Sequence, residues 1–211
     1  PADNADFHAL ALSLTKSLPR EASLPKAAVG AKRWRAARRT SLHQIVRTQN
    51  YTARSEQIGQ EESNGVKVRF LRLNLAGIWT LPVVELQPGE PKATAIVIAD
   101  GGRTNAADQV NRLLALGNRV LAVDPFYFGE SKIKSRDHLY ALLVASVGER
   151  PLGIQASQLT AIARWSQAEH RAGPSAIVAV GPRCSLAALV AASLEEQAID
   201  GLELHGALGS L

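Results

Sequence analysis

The residues with the clearest chemical potential lie in a strand, a tight turn and a helix over residues 176–190. Turns of the G-x-S-x-G type hold a nucleophile on a strained backbone, so the residues two before and two after it must be small. Gly181 and Ser185 meet this requirement only when Arg183 is the central residue. The spacing therefore places an arginine where such a turn carries its nucleophile.

An arginine cannot act as a nucleophile, because its guanidinium stays protonated and has no available lone pair. Taking Cys184 as the centre instead would put Pro182 and Leu186 at the small positions, and taking Ser185 would put an arginine at one of them. Both alternatives fit the spacing less well. A thiol at a helix N-terminus beside an arginine could still be activated, so Cys184 stays an alternative nucleophile. The simpler interpretation is a buried cysteine in the first helical turn.

The composition indicates a globular chain and excludes several classes of protein. Of 211 residues, 46% are hydrophobic and 20% are charged, which suits one domain of ordinary size. No apolar run approaches the roughly 18 to 20 residues that span a bilayer, so we expect no membrane partner. The single cysteine excludes an internal disulfide and a cysteine-based metal site, and we expect no metal and no cofactor. Because the sequence lacks methionine, we expect a processed product or part of a longer chain.

The positive charge is concentrated near the N-terminus. Residues 1–54 carry ten Lys and Arg against three Asp and Glu, within a chain whose net charge is +5. Five of these cations surround Trp34, namely Lys32, Arg33, Arg35, Arg38 and Arg39. The cluster over residues 26–39 could bind polyanions with an aromatic stacking platform. The simpler interpretation is a solvated helix face, and since no nucleic-acid-binding motif accompanies the charge we do not expect nucleic acid as a partner.

The N-terminal part of the chain is predicted to be a helical arm followed by a β-ribbon. Residues 5–17 and 31–48 have helical patterns, which gives an arm over residues 1–50. Strand-like segments follow at 51–60, 66–75 and 78–86, with Asn64-Gly65 as a hairpin signal. The apolar alternation slips by one residue between Phe70 and Leu71, so we expect a bulge or sharp twist there.

From residue 93 onward, apolar strands alternate with helices, which predicts a parallel sheet covered on both faces. The predicted strands are 93–99, 119–123, 175–180 and 202–208. Thr104 or Asn105 is expected to cap the helix after the first of these strands. Asp124 and Ser131 are expected to fix the loop after the second strand. Residues 51–211 would form this second domain.

These elements resemble the α/β-hydrolase fold and, within it, the bacterial acetylxylan esterase and dienelactone-hydrolase-like enzymes. The resemblance covers roughly residues 30–211. It rests on the helical arm and β-ribbon, the Gly-Gly loop, and the turn after residue 180. It also rests on two further motifs, Asp-Pro-Phe-Tyr-Phe-Gly-Glu-Ser at 124–131 and Gly-Glu-Arg-Pro-Leu-Gly at 148–153. It implies an α/β fold with a mostly parallel sheet and an antiparallel N-terminal ribbon, truncated after the strand that follows the turn.

The resemblance also implies roles for particular residues. The residue at the turn attacks an ester carbonyl, and backbone N–H groups after it and in the first loop stabilise the oxyanion. Asp100 replaces the histidine of the usual first-loop motif and would pair with a nearby cation, of which Arg183 is the leading candidate. The positions carried over are the nucleophile position Arg183, the oxyanion residues Cys184, Gly102 and Gly101, and the ligand-binding residue Asp100.

The acid and base of the family come from loops after two later strands, and we expect the chain to end before them. None of the five histidines occupies the expected place, these being His8, His43, His138, His170 and His205. Three functions follow as hypotheses: an inactive scaffold or ligand-binding domain, the front part of an active esterase, or a basic polyanion-binding module. Expected partners are a small acylated carbohydrate or an anion. A further chain segment or a second copy would pair with the unfinished sheet edge.

Overall fold

The computed structural model describes residues 6–17, 24–133, 135 and 137–209. The chain divides into two units, residues 1–38 and 39–211. The helices are α1 (Phe7–Ser17), α2 (Ala28–Val46), α3 (Ala107–Ala115), α4 (Asp137–Ser146), α5 (Pro151–His170) and α6 (Pro182–Leu194). The strands are β1 (Ala53–Ser63), β2 (Val66–Leu75), β3 (Trp79–Pro88), β4 (Thr94–Ala99), β5 (Arg119–Val123), β6 (Ser175–Val180) and β7 (Ile199–His205). Residue 5, the expected start of the first helix, lies outside the described residues.

The seven strands of the described residues form one sheet in the order β1-β2-β3-β5-β4-β6-β7. The first three strands and the β3–β5 pair are antiparallel, whereas β5, β4, β6 and β7 are mutually parallel. The predicted parallel pairing of the strands at 93–99 and 175–180 is confirmed by the β4–β6 register. The architecture is therefore the predicted mixed α/β fold, with an antiparallel N-terminal ribbon.

The ribbon follows from its turns and from one irregularity in β1. Asn64 and Gly65 both have positive φ, 52° and 76°, as the predicted tight hairpin requires. Gln57 opposes Leu71 and Gly59 opposes Phe70, which leaves residue 58 of β1 without a partner residue. This bulge lies opposite Phe70 and Leu71, where a bulge or sharp twist was predicted, but the extra residue belongs to β1 rather than to β2. Because β2 pairs without interruption to β3, only the edge strand can absorb it.

Helices α5 and α6 cover one face of the sheet, and α3 covers the other. On the first face, Leu159 and Ile162 of α5 pack among buried strand residues such as Ile96 and Ile177. Gly153 lets α5 approach the end of α2, because a Cβ atom there would collide with the carbonyl oxygen of Val46. Within the described residues, no helix is long and apolar enough to cross a membrane.

Most boundaries differ from the prediction by a few residues, and two of the differences affect the loops near the parallel strands. A 3-10 turn (Arg103–Ala106) precedes α3. Neither Thr104 nor Asn105 caps α3, because the Thr104 hydroxyl contacts the Asn105 side chain instead. Strand β7 starts at Ile199 and ends at His205, earlier than the predicted 202–208. The chain leaves the sheet at Gly206, whose φ of 66° is left-handed.

Candidate functional site

The predicted site lies at the carboxyl ends of the parallel strands. Ala99, the last residue of β4, is in register with Val180, the last residue of β6. The backbone N–H of Asp100 donates to the carbonyl oxygen of Val180 at 2.8 Å. The loop after β4 and the turn before α6 therefore lie side by side, as loops at the carboxyl ends of neighbouring parallel strands do.

The carboxylate of Asp100 binds the first turn of α6. Its Oδ1 accepts the backbone N–H of Cys184 at 2.7 Å, and its Oδ2 accepts the backbone N–H of Arg183 at 3.2 Å. Arg183 Nε lies 3.4 Å from Oδ2, and Arg183 Nη2 donates to the Asp100 carbonyl oxygen at 3.2 Å. The predicted Arg183–Asp100 ion pair is thus confirmed. The carboxylate also satisfies N–H groups that have no partner within the helix.

The guanidinium of Arg183 remains largely outside the protein. The side chain is 59% exposed, and its Cζ lies 5.2 Å from the centre of the Phe128 ring. Phe128 is buried in the loop after β5. Arg183 therefore bridges this loop and the loop after β4 by a cation–π contact and an ion pair.

The strained backbone of the turn lies at Gly181 and not at Arg183. Gly181 has φ of 101°, whereas Arg183 belongs to the first turn of α6. Pro182, whose ring fixes φ near that of a helix, starts α6 directly after the glycine. The prediction of strain at the central residue is therefore wrong by two positions. A Cβ atom at Gly181 would lie 2.5 Å from Asp100 Cγ, so the glycine makes room for the Asp100 carboxylate.

The loop after β4 does not provide the oxyanion donor expected at Gly102. The backbone N–H of Gly102 donates to the carbonyl oxygen of Ala99 at 2.9 Å, because the loop closes on itself there. Gly101 faces Asn105, whose Nδ2 lies 2.6 Å from the position that a Cβ atom of Gly101 would take. Of the expected donors, Cys184 and Gly102 thus both have a hydrogen-bond partner within the chain.

The thiol of Cys184 is in surroundings that oppose its activation. The residue is fully buried in the main core cluster. Burial raises the pKa of the thiol far above its ordinary value, and the negative charge of Asp100 raises it further. Activated cysteines need the opposite conditions, namely solvent access and a surplus of positive charge. Cys184 therefore stays a neutral thiol at neutral pH.

A second ion-pair cluster fixes the loop after β5. Asp124 Oδ1 accepts the backbone N–H of Arg103 at 2.7 Å, and Oδ2 accepts a guanidinium N–H of the same arginine at 2.5 Å. The Ser131 hydroxyl donates to the Asp124 carbonyl oxygen at 2.7 Å, which confirms the predicted bracing of this loop. Arg103 also pairs with Glu130 at 2.8 Å. Sequence reasoning missed the role of Arg103, although it directly follows the Gly-Gly pair.

Three histidines, His43, His170 and His205, contact residues other than Arg183 and Cys184. His205 is in register with Val180 beside the turn, but its Nε2 lies 2.7 Å from Glu203 Oε1. His43 contacts the Thr48 hydroxyl. His170, at the end of α5, faces Glu85 on β3. Within the described part of the chain, no group of three His, Cys, Asp or Glu residues could hold a metal ion.

Glu85 is a buried carboxylate that sequence reasoning missed. It is 1% exposed and is surrounded by Arg69 at 2.6 Å, Arg119 at 3.3 Å and His170 at 3.6 Å. Burial and the two arginines lower the pKa of His170 to about 4, so the ring is neutral at neutral pH. The alternation of buried and less buried residues along β3 was the available signal, because it places Glu85 on the same inward face as Leu81. Arg119 is the first residue of β5, so this cluster lies at the amino ends of the parallel strands, whereas Asp100 lies at their carboxyl ends.

Neither a family model nor a curated protein matches this sequence. Solved structures do. A candidate acetyl xylan esterase from Bacteroides fragilis superposes with a TM-score of 0.76 at 13% identity, over 93% of this chain and 59% of its own. Acetyl xylan esterase 1 from Thermoanaerobacterium gives 0.58 at 12% identity, over 90% and 61%. A dienelactone hydrolase from Anabaena variabilis gives 0.50 at 14% identity, over 67% and 63%.

The chain spans about 60% of the length of these structures. At such low identity the superpositions establish the fold and not the reaction. The strand order and the loops at the carboxyl edge correspond to the resemblance found in the sequence. This chain has the α/β-hydrolase fold of the acetyl xylan esterases and dienelactone hydrolases.

Proposed function

We propose that this chain is a catalytically inactive, esterase-like α/β-hydrolase domain that serves as a scaffold or binds a ligand. The observation that carries the proposal is the hydrogen bond from the Cys184 N–H to the Asp100 carboxylate, at 2.7 Å. The resemblance assigns this N–H to an ester oxyanion. The Asp100 carboxylate already accepts this N–H and would repel the negative charge that develops during ester hydrolysis.

The side chains of the turn also favour an inactive domain. Arg183 carries a permanent positive charge and offers no nucleophilic lone pair. Cys184 is buried, and the pKa of its thiol is raised. Neither residue can start acyl transfer in this arrangement. An activated serine would in addition need a histidine beside it, whereas the His205–Glu203 pair contacts Arg112 of α3, on the sheet face opposite α6.

The test is turnover of p-nitrophenyl acetate by the parent chain, Arg183→Ser and Cys184→Ala. We expect all three to match the rate in buffer alone. The Arg183→Ser variant is informative because it restores the sequence motif without removing Asp100 or adding a base. Turnover by the parent that Cys184→Ala abolishes would contradict the proposal and restore the thiol as nucleophile.

A second candidate is the front part of an active carboxylesterase that acts on acetylated carbohydrate. The specific observation in its favour is coverage, because the chain spans 59% of the candidate acetyl xylan esterase. Mass spectrometry of the native polypeptide separates the two candidates. A mass well above the 22.5 kDa of this sequence, with acetyl esterase activity in the longer protein, would support the second.

The third candidate, polyanion binding through residues 26–39, has less support from the contacts of the arm. The guanidinium carbon of Arg38 lies 5.9 Å from the centre of the Trp34 ring, so the chain's own cation already stacks on this aromatic. Heparin binding that persists at high ionic strength, where exposed charges are screened, would favour this candidate.

A further inference from the structure

A cleft lies beside the loop that follows β5, at the carboxyl ends of the parallel strands. Its volume is about 270 Å³, and its walls come from the start of β3, from this loop, and from one residue each of α4 and α5. Neither Asp100 nor Arg183 nor Cys184 lines it, so the cleft is separate from the turn before α6. Strands β5, β4 and β6 separate β3 from β7, so the last strand takes no part in its walls.

Three aromatic side chains line the cleft as one cluster. The ring of Phe126 meets that of Trp79 edge to face, with centres 5.1 Å apart, and that of Tyr140 at a tilt, with centres 5.6 Å apart. Phe126 is buried, whereas Trp79 and Tyr140 are half-buried. Aromatic rings attract one another in edge-to-face and offset arrangements with centres roughly 4.5 to 7 Å apart. The two outer rings therefore present surface to which a further ring can add.

Gln158 brings a hydrogen-bond donor to this aromatic wall. The residue is 1% exposed, and its Oε1 accepts the backbone N–H of Phe126 at 2.6 Å. Because that N–H can only donate, it fixes the orientation of the amide and leaves Nε2 without an acceptor among the described residues. Buried polar groups nearly always have hydrogen-bond partners. A ligand with an acceptor oxygen next to its ring would supply one to Gln158.

The cleft carries no uncompensated charge. Glu130 is the one charged residue among the described residues that line it, and its carboxylate lies 2.8 Å from Arg103 Nη2. An ionised ligand would lose water here without gaining a free counter-charge, which is costly. The cleft therefore favours a neutral ligand.

We infer that this cleft binds a neutral aromatic ring that carries a carbonyl oxygen. The ring packs against Trp79 and Tyr140, and the carbonyl oxygen accepts an N–H of Gln158 Nε2. An apolar cavity of about 150 Å³ holds a benzene molecule, so a cleft of about 270 Å³ has room for one ring and a small substituent. The inference goes beyond the proposed function, since it uses no residue of the turn before α6 and holds whether or not that turn is catalytic.

The test uses benzamide as the probe, titrated against the full chain and followed by saturation-transfer NMR of the ligand at pH 8. Cyclohexanecarboxamide keeps the carbonyl without the flat ring, benzoate keeps the ring but adds a charge, and methyl glucoside offers hydroxyl groups without either feature. We expect saturable binding of benzamide, and binding of each comparison compound that is weaker by about fivefold or more. A comparison compound that binds as tightly as benzamide would overturn the assignment of a neutral aromatic ligand.

Substitutions at two positions separate the contribution of the amide from that of the ring. Gln158→Glu keeps the oxygen that accepts the Phe126 N–H but replaces the free donor with a second acceptor, which is ionised at pH 8. Benzamide binding should then weaken by about fivefold or more. Tyr140→Leu should also weaken binding, whereas Tyr140→Phe keeps the ring and should retain most of it.

The matched control is Gln60→Glu, the same chemical change at an exposed position of the edge strand β1, outside the cleft. It should leave benzamide binding unchanged, and circular dichroism should show that the variants are folded. Should Tyr140→Leu fail to fold, the result for Gln158→Glu decides. Binding that Gln158→Glu leaves intact would overturn the proposal, as would the lack of saturable benzamide binding by the parent chain.

Discussion

Asp100 and Cys184 are 84 residues apart in sequence, and the Asp100 carboxylate accepts the Cys184 backbone N–H at 2.7 Å. The contact joins the loop after β4 to the first turn of α6. The donor belongs to a fully buried residue, whereas the neighbouring guanidinium of Arg183 is mostly exposed. Asp100 therefore stabilises the turn mainly through the backbone and only slightly through its ion pair.

This difference predicts a ranking of two substitutions. Asp100→Ala leaves the Cys184 N–H without its partner and should lower the free energy of unfolding by about 1 to 3 kcal/mol. Arg183→Ala removes an exposed ion pair, an exposed hydrogen bond to the Asp100 carbonyl oxygen and a cation–π contact, and should cost less than about 1 kcal/mol. Urea unfolding of both variants measures the ranking. A larger loss for Arg183→Ala would show that the side-chain pair dominates.

The vacancy left by Asp100→Ala should accept a free carboxylate. Sodium formate or acetate would then raise the thermal unfolding midpoint of Asp100→Ala towards that of the parent, in a saturable manner. Sodium chloride at the same ionic strength serves as the salt control. Asp108→Ala, which removes an exposed carboxylate from α3, should show no such recovery. An equal response of both alanine variants would contradict a specific carboxylate site.

Cys184 should resist thiol reagents while the chain is folded. Because burial is the largest cause of its raised pKa, little thiolate forms at neutral pH and the reagent cannot reach it. We expect labelling by iodoacetamide, followed by mass spectrometry, to be slow in buffer and fast in urea. Asp100→Asn should not restore fast labelling, since it removes a charge but not the burial. Rapid labelling of the folded parent would contradict this account.

His170 should make stability depend on pH in the acidic range. Its folded pKa is about 4, below the ordinary value of 6.5, so the unfolded chain binds the proton more readily between these values. Stability from the neutral ring is present above pH 6.5 and is lost as the pH falls towards 4. The full effect is about 3 kcal/mol. Urea unfolding of the parent and His170→Gln at pH 7 and pH 5 measures it, and equal pH dependence in both would contradict the assignment.

The sequence predicted those parts of the site that follow from strand order. Ala99 and Val180 end apolar segments, so the residues after them were expected at one sheet edge, and the Arg183–Asp100 pair followed from opposite charge. The position of strain was not predictable in the same way. The motif spacing indicated Arg183, whereas Pro182 begins the helix earlier and moves the strain to Gly181.

The buried cluster around Glu85, at the amino ends of the parallel strands, was not predicted, for a different reason. Glu85 belongs to β3 and His170 to the end of α5, and no local pattern relates two positions so far apart in the chain. A single acidic residue on an inward strand face does not identify its partners. Arg119 and Arg69 reach it only because β5 and β2 lie on either side of β3. Sheet order, rather than periodicity, determines this cluster.

The packing of Asp100 against Gly181 makes these two positions interdependent during protein engineering or evolution. A side chain at position 181 would need the space that Asp100 Cγ occupies, since the separation would be 2.5 Å. Gly181→Ser made first would meet both that collision and a φ of 101° that favours glycine. Asp100→Gly made first removes the obstacle, at the cost of the hydrogen bond from the Cys184 N–H, and a later side chain at position 181 then meets only the backbone strain. The order in which the two substitutions are acquired therefore determines whether the intermediate must accommodate the collision between position 181 and Asp100.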